Sequence, residues 1–140
     1  LAGGESILMP GVWDPLSALL AQRAGFHTVF VSGFAVAGTL LGEPDIGIVD
    51  QANMADVARR VCAAVPNMCV VVDADTGYGD ERDVQITTEL WESAGASGCK
   101  LATRDFWVWG CLRSLMGVPH RKALENQNPR KQIHPQKVLF

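Results

Sequence analysis

Short apolar runs alternate with segments of helical period along the first hundred residues. Ile7-Leu8-Met9, Thr28-Val29-Phe30-Val31 and Cys69-Val70-Val71-Val72 predict strands, and β-branched side chains dominate the latter two. Asp14 is placed to cap a helix, with Pro15 at its first position, where a missing N–H costs nothing. Leu16, Leu19, Leu20 and Ala24 follow at helical spacing, and Gly25 supplies a left-handed stop. A second helix opens at Asp50, carries Met54, Val57, Val61 and Val65 on one face, and ends at Pro66. A third opens at Asp80 or Glu81, with Val84, Thr88, Trp91 and Ala94 on one face and Gly95 at its end. The long connection from Ser32 to Asp50 carries Gly33, Gly38, Gly42 and Gly47 and has room for a short helix near Ala35 to Leu41.

The strand at Cys69 to Val72 is apolar on both faces, as a central parallel strand is. Three βα units and the start of a fourth, at Cys99 to Ala102, therefore predict an α/β fold with parallel pairing. Periodicity alone leaves a doubly wound sheet and a (β/α)₈ barrel both open. From Thr103 the rhythm stops. Phe106-Trp107-Val108-Trp109 is strand-like, but Pro119 to Lys137 has three prolines, many Asn, Gln, Lys and Arg, and no apolar period. That composition predicts an irregular or disordered segment.

Charge divides the chain at the same place. Residues 1–98 hold thirteen of the fifteen acidic side chains and only four basic ones, whereas residues 99–140 hold eight basic side chains against Asp105 and Glu125. No lysine precedes Lys100. The expected organisation is an α/β portion over 1–98 and a divergent basic tail over 99–140. The 140 residues as a whole are 48% hydrophobic and 19% charged with a formal charge of −3, ordinary for a globular domain.

No apolar run approaches the ~20 residues that span a bilayer, so no membrane partner is expected. Leu1 to Pro10 lacks the basic start and long apolar core of a signal peptide. Cys62, Cys69, Cys99 and Cys111 form no C-x-x-C pair, and Cys62 and Cys69 sit among apolar residues. Reduced core thiols in an intracellular compartment, cytoplasmic or organellar, are expected. Eight basic residues without interleaved motif structure are weak grounds for nucleic acid, which is not an expected partner.

Asp73 and Asp75 end the third strand in the run Asp73-Ala74-Asp75-Thr76-Gly77-Tyr78-Gly79. In extended chain, residues two apart point to one side, so both carboxylates can converge above the sheet. Two adjacent carboxylates repel unless a cation or a shared proton lies between them. Hard oxygen ligands at strand ends suit Mg²⁺ or Mn²⁺, and Gly77 and Gly79 would let the backbone approach a ligand. A turn that caps the next helix explains the same residues equally well. An EF-hand loop is excluded, since Tyr78 and Val84 stand where it needs glycine and glutamate. A dinucleotide fingerprint is excluded by Arg82 at its third glycine. Ser32-Gly33 ends the second strand and could cradle a carboxylate or phosphate, although a plain turn serves as well. Phe30 and Phe34 rule out a nucleophile elbow there. Asp45, in a Pro-Asp turn, is a loop carboxylate within possible reach of the same place. His27 lies at a helix-to-strand turn on the side opposite the strand ends, which favours surface or packing roles.

Five ordered motifs, Pro10-Gly11-Val12-Trp13-Asp14, Ala24-Gly25-Phe26, Val31-Ser32-Gly33-Phe34, Pro44-Asp45-Ile46-Gly47 and Asp73 to Gly79, together resemble the isocitrate lyase and phosphoenolpyruvate mutase superfamily. The resemblance covers about residues 7–98 and favours the branch of methylisocitrate lyase, oxaloacetate hydrolase and phosphonopyruvate enzymes. It implies the front portion of a (β/α)₈ barrel with a Mg²⁺-bound α-oxo acid at its C-terminal face, in proteins that are homo-oligomers. By similarity, Asp73 is the principal metal ligand, with Asp75 and Asp45 on metal-bound waters or completing the shell. Ser32 and Gly33 would bind a substrate carboxylate beside Phe30. The implied chemistry is cleavage, hydrolysis or rearrangement next to an enolate, with Mg²⁺ (or Mn²⁺) as Lewis acid.

The chain departs from that pattern after Gly98. The superfamily continues with a strand ending in Glu-Asp and then a Lys-x-Cys-Gly-His loop. Here Cys99-Lys100-Leu101-Ala102-Thr103 puts alanine at the glutamate position, and Cys111 stands outside any such loop. A barrel of this type needs about 200 residues or more. The expectation is an incomplete barrel, weak or inactive alone, its tail arising from a frameshift, aberrant splice or misjoined gene. The alternative is a non-catalytic interaction protein that uses the half barrel and the basic tail.

Overall fold

The computed structural model describes residues 7–102 and 107–110. In chain order these are β1 (Gly11–Val12), α1 (Pro15–Arg23), β2 (Thr28–Val31), α2 (Gly33–Val36) running into a π-helical turn (Ala37–Leu41), α3 (Gln51–Ala64), β3 (Cys69–Asp73), α4 (Glu81–Ala94), β4 (Gly98–Ala102) and β5 (Trp107–Gly110). The sheet order is β1-β2-β3-β4-β5, with the first four strands parallel. Each new strand is added to the same side of the last. A doubly wound sheet reverses direction at a switch point, so the uninterrupted order decides for the barrel progression.

β5 pairs antiparallel with β4. Only positions 103–106 separate the two strands, and a parallel return needs a crossover of a dozen or more residues. Strand structure therefore continues past residue 98, over Gly98–Ala102 and Trp107–Gly110, as the local apolar patterns of both segments predict. The irregular tail expected further on, with Cys111, lies outside the described residues.

Caps follow the sequence closely. Asp14 accepts the Ser17 N–H at 2.7 Å, and the Ser17 hydroxyl answers the Asp14 backbone, so a capping box opens α1. Asp50 accepts the Asn53 N–H at 2.7 Å, and Asp80 forms a second capping box with Asp83. Gly25 and Gly95 stop α1 and α4 at positive φ; the N–H groups of Phe26 and Ala96 reach back five residues to Ala21 and Trp91, the Schellman arrangement.

Three expectations need correction. The first strand is not Ile7 to Met9 but Gly11–Val12, because pairing starts where the Pro10 carbonyl accepts the Phe30 N–H. Leu8 is left 70% exposed, whereas Val12 is fully buried. On α1 the buried face is Ala18 and Ala21, not Leu16 and Leu20, which are 65% and 55% exposed. Small side chains let the helix pack close against α3, and that contact outweighs the larger apolar area of the leucines. α3 buries Met54, Val57 and Val61 as expected, together with Ala58 and Cys62. On α4, Thr87 takes the buried place expected for Thr88, and Trp91 is fully enclosed. Among the described residues no disulfide links Cys62, Cys69 and Cys99, and no helix is long and apolar enough to cross a membrane.

Candidate functional site

Register alone brings the sequence-flagged residues together. Val31 pairs with Val72 and Asp73 with Lys100, so Ser32-Gly33 and Asp73, at the C-terminal ends of β2 and β3, stand beside Lys100 in the middle of β4. Phe30 is buried on β2 two residues before Ser32. Alternation along a strand puts both on one face.

Asp73 is buried. Its Oδ2 accepts a long hydrogen bond of 3.4 Å from the Gly33 N–H. Its Oδ1 accepts no hydrogen bond among the described residues but lies 3.5 Å from the Lys100 ammonium. The Asp73 carbonyl is fixed from behind by the indole N–H of Trp91 at 3.2 Å. A Cβ added to Gly33 would stand 3.5 Å from Asp73 Oδ2 and 3.8 Å from Asp75 Oδ1. Glycine at 33 therefore keeps open the space on which both carboxylates converge.

The convergence is real, but its origin differs from the expected one. β3 ends at Asp73, and Asp75 adopts a left-handed φ of 43°. A turn, not extended chain, folds the second carboxylate back over the first. Burial raises the Asp75 pKa above the ordinary carboxylate value, and the charges of Asp73 and Asp45 push the same way; Lys100 and Tyr78 oppose them. Asp45 itself is exposed on its loop, near enough for its field to reach Asp75. Tyr78 is half-buried, and its enclosed hydroxyl makes no well-formed hydrogen bond. Burial and the Asp75 charge hold its proton on and raise its pKa.

Gly77 and Gly79 serve the turn. Gly77 has φ 92°, and a Cβ there would overlap Val84. A Cβ at Gly79 would overlap the Asp83 carboxylate. Both glycines make room for the first turn of α4. Ser32 precedes α2 without capping it through its side chain. His27 is exposed at the opposite end of β2, as expected.

Among the described residues, no three His, Cys, Asp or Glu side chains are gathered closely enough to enclose a metal ion. Mg²⁺ does not need such a cage, because it is commonly held by one or two carboxylates and completes its octahedron with water. A buried carboxylate oxygen without a hydrogen bond, with the Asp75 carboxylate converging on the same space, is a donor pair that fits such an ion once the Lys100 ammonium, 3.5 Å from that oxygen, gives way.

Two contributors escaped the sequence reading, Lys100 and Trp91. Lys100 had a signal, since it is the first lysine of the chain and lies inside an otherwise apolar strand. Trp91 read as core, and nothing local reveals that its N–H reaches a strand end eighteen residues away.

A sequence profile of the phosphoenolpyruvate phosphomutase family matches residues 1–105. The chain belongs to that family. The resemblance carried by the five motifs, to the isocitrate lyase and phosphoenolpyruvate mutase superfamily, is confirmed over this segment. A chloroplastic carboxyvinyl-carboxyphosphonate phosphorylmutase of Arabidopsis thaliana is 46% identical over 115 residues, covering 81% of this chain and 34% of the relative. A probable 2-methylisocitrate lyase of Corynebacterium glutamicum is 43% identical over 101 residues, 72% of this chain and 32% of the relative. The crystal structure of oxaloacetate acetylhydrolase superposes with a TM-score of 0.67 at 35% identity, covering 69% of this chain and 34% of that one. The chain thus spans about a third of the length of the curated relatives it matches.

Proposed function

We propose that the strand ends of this phosphoenolpyruvate mutase family chain form the metal- and carboxylate-binding half of a site for a small α-oxo acid. The observation that carries the reading is the buried Asp73 Oδ1, which accepts no hydrogen bond and shares the space over Gly33 with the Asp75 carboxylate. Asp73 would hold Mg²⁺ or Mn²⁺ directly, with Asp75 and Asp45 accepting hydrogen bonds from metal-bound waters. The metal would supply Lewis-acid stabilisation of enolate-like charge during C–C or P–C bond cleavage or formation. Ser32 would offer its hydroxyl, and Gly33 its N–H, to the substrate carboxylate. Phe30, buried on β2, would line the site. Trp91 holds the end of β3 so that the Asp73 carboxylate does not drift.

The same reading assigns little turnover to the 140 residues alone. Ala102 has no carboxylate to offer where the superfamily places glutamate, and the strands that would complete a barrel are not among those described. Mn²⁺ binding to the purified chain, followed by electron paramagnetic resonance, tests the proposal directly. Asp73→Asn should remove the bound signal while leaving the circular dichroism unchanged. Retention of wild-type binding in that variant would sink it. Family-like Mg²⁺-dependent consumption of oxaloacetate, methylisocitrate or phosphonopyruvate would refute the low-turnover part.

The exposed Leu16 and Leu20, four residues apart on α1, favour a second reading in which the half barrel docks on another chain. Sedimentation of a folded monomer at all concentrations would count against self-association.

A further inference from the structure

We infer that Lys100 is a built-in cation that guards Asp73, so that a divalent metal must displace its ammonium to reach Oδ1. The inference rests on the metal reading above and adds a control on it that belongs to this chain. Lys100 is the register partner of Asp73 on the neighbouring strand. Its Nζ lies 3.5 Å from Oδ1, with the two side chains only 12% and 10% exposed. The Phe30 ring sits beneath the same ammonium, 5.5 Å from Nζ to the ring centre. Both contacts draw the charge to one place, an ion pair from one side and the ring face from the other.

Oδ2 is engaged by the Gly33 N–H, whereas Oδ1 is held by charge without a hydrogen bond. Oδ1 is therefore the oxygen that an incoming ion would take. A directly bound Mg²⁺ sits about 2.0–2.1 Å from its oxygen. An ammonium within contact distance of the same atom, in a poorly hydrated site, would repel it strongly. The flexible four-carbon stem of lysine gives the ammonium a way out toward water. Metal binding here is an exchange of cations and not the filling of a vacant seat.

The test compares Mn²⁺ affinity of the full chain with that of Lys100→Met, Lys100→Gln and Asp73→Asn, each checked by circular dichroism. Gln keeps a hydrogen-bond donor beside Asp73 and guards against loss of fold from an unpaired carboxylate. Both Lys100 variants should bind Mn²⁺ about tenfold tighter or more, and Asp73→Asn should abolish binding. Equal affinity in wild type and Lys100 variants, with Asp73→Asn still abolishing it, overturns the guarding role and leaves the metal reading standing. Absence of Asp73-dependent binding in every protein overturns both. In the wild type, saturating Mn²⁺ should also speed acylation of Lys100 by an amine-reactive ester, mapped by mass spectrometry. Unchanged labelling under saturation would show that the ammonium stays in place and overturn the inference.

Discussion

Replacing Trp91 tests whether the site is anchored from the core. The indole is fully buried, donates to the Asp73 carbonyl at 3.2 Å and meets the Tyr78 ring edge-on with centres 6.0 Å apart. Truncating a buried tryptophan to alanine costs about 3–5 kcal/mol from lost transfer energy and the residual cavity. That range already contains the orphaned carbonyl, worth roughly 1 kcal/mol, and the lost ring pair, worth ~0.5–1.5 kcal/mol. A loss of ~4 kcal/mol is a large share of the ~5–15 kcal/mol that ordinarily separates folded from unfolded domains. With a urea slope of about 2 kcal/mol/M, the unfolding midpoint should fall by ~2 M. Trp91→Phe keeps most of the packing and loses chiefly the hydrogen bond, so its shift should stay below about 1 M. Urea titration followed by far-ultraviolet circular dichroism reads both. A midpoint change under ~0.5 M for the alanine variant, or equal damage from phenylalanine, would refute the reasoning.

Other outcomes follow from the same geometry. Gly77→Ala should destabilise by ~2–4 kcal/mol, from the left-handed φ and the overlap with Val84, while Gly38→Ala, with open space and no positive φ, should be neutral or stabilising in thermal melts. Asp50→Ala should cost about 1 kcal/mol through the lost cap on α3, read by urea titration, and a cost near zero would argue against that cap. Burial pushes the Cys62 thiol up to about 11 from 9.0. The unfolded chain thus releases this proton first, and its contribution to stability is whole below pH 9.0 and lost as pH rises toward 11. Cys62→Ala should flatten that part of the fall in melting temperature, and native Cys62 should resist thiol reagents at neutral pH.

The sequence by itself determined what depends on near neighbours. Asp14, Asp50 and Asp80 cap helices because their carboxylates reach an N–H three residues on, a distance the chain sets locally. Gly25 and Gly95 stop helices because a left-handed backbone excludes most other residues. The β2 and β3 strands and the buried stripe of α3 were legible because burial repeats with the period of each element. Asp73 and Asp75, and their nearness to Ser32-Gly33 and Asp45, were readable as candidates.

Only the tertiary structure decided how those candidates meet. Strand order separates a barrel progression from a doubly wound sheet, and strand order is made of long-range pairing that no local window contains. The place of β1 and the buried face of α1 were decided by what packs against them, which is why Leu8, Leu16 and Leu20 are exposed despite their character. Asp75 joins Asp73 through a left-handed turn that an extended-chain reading could not foresee. Lys100 and Trp91 reach Asp73 from β4 and α4 because register and helix packing aim them there. Residue type supplied the carboxylates; the sheet supplied the cation beside them.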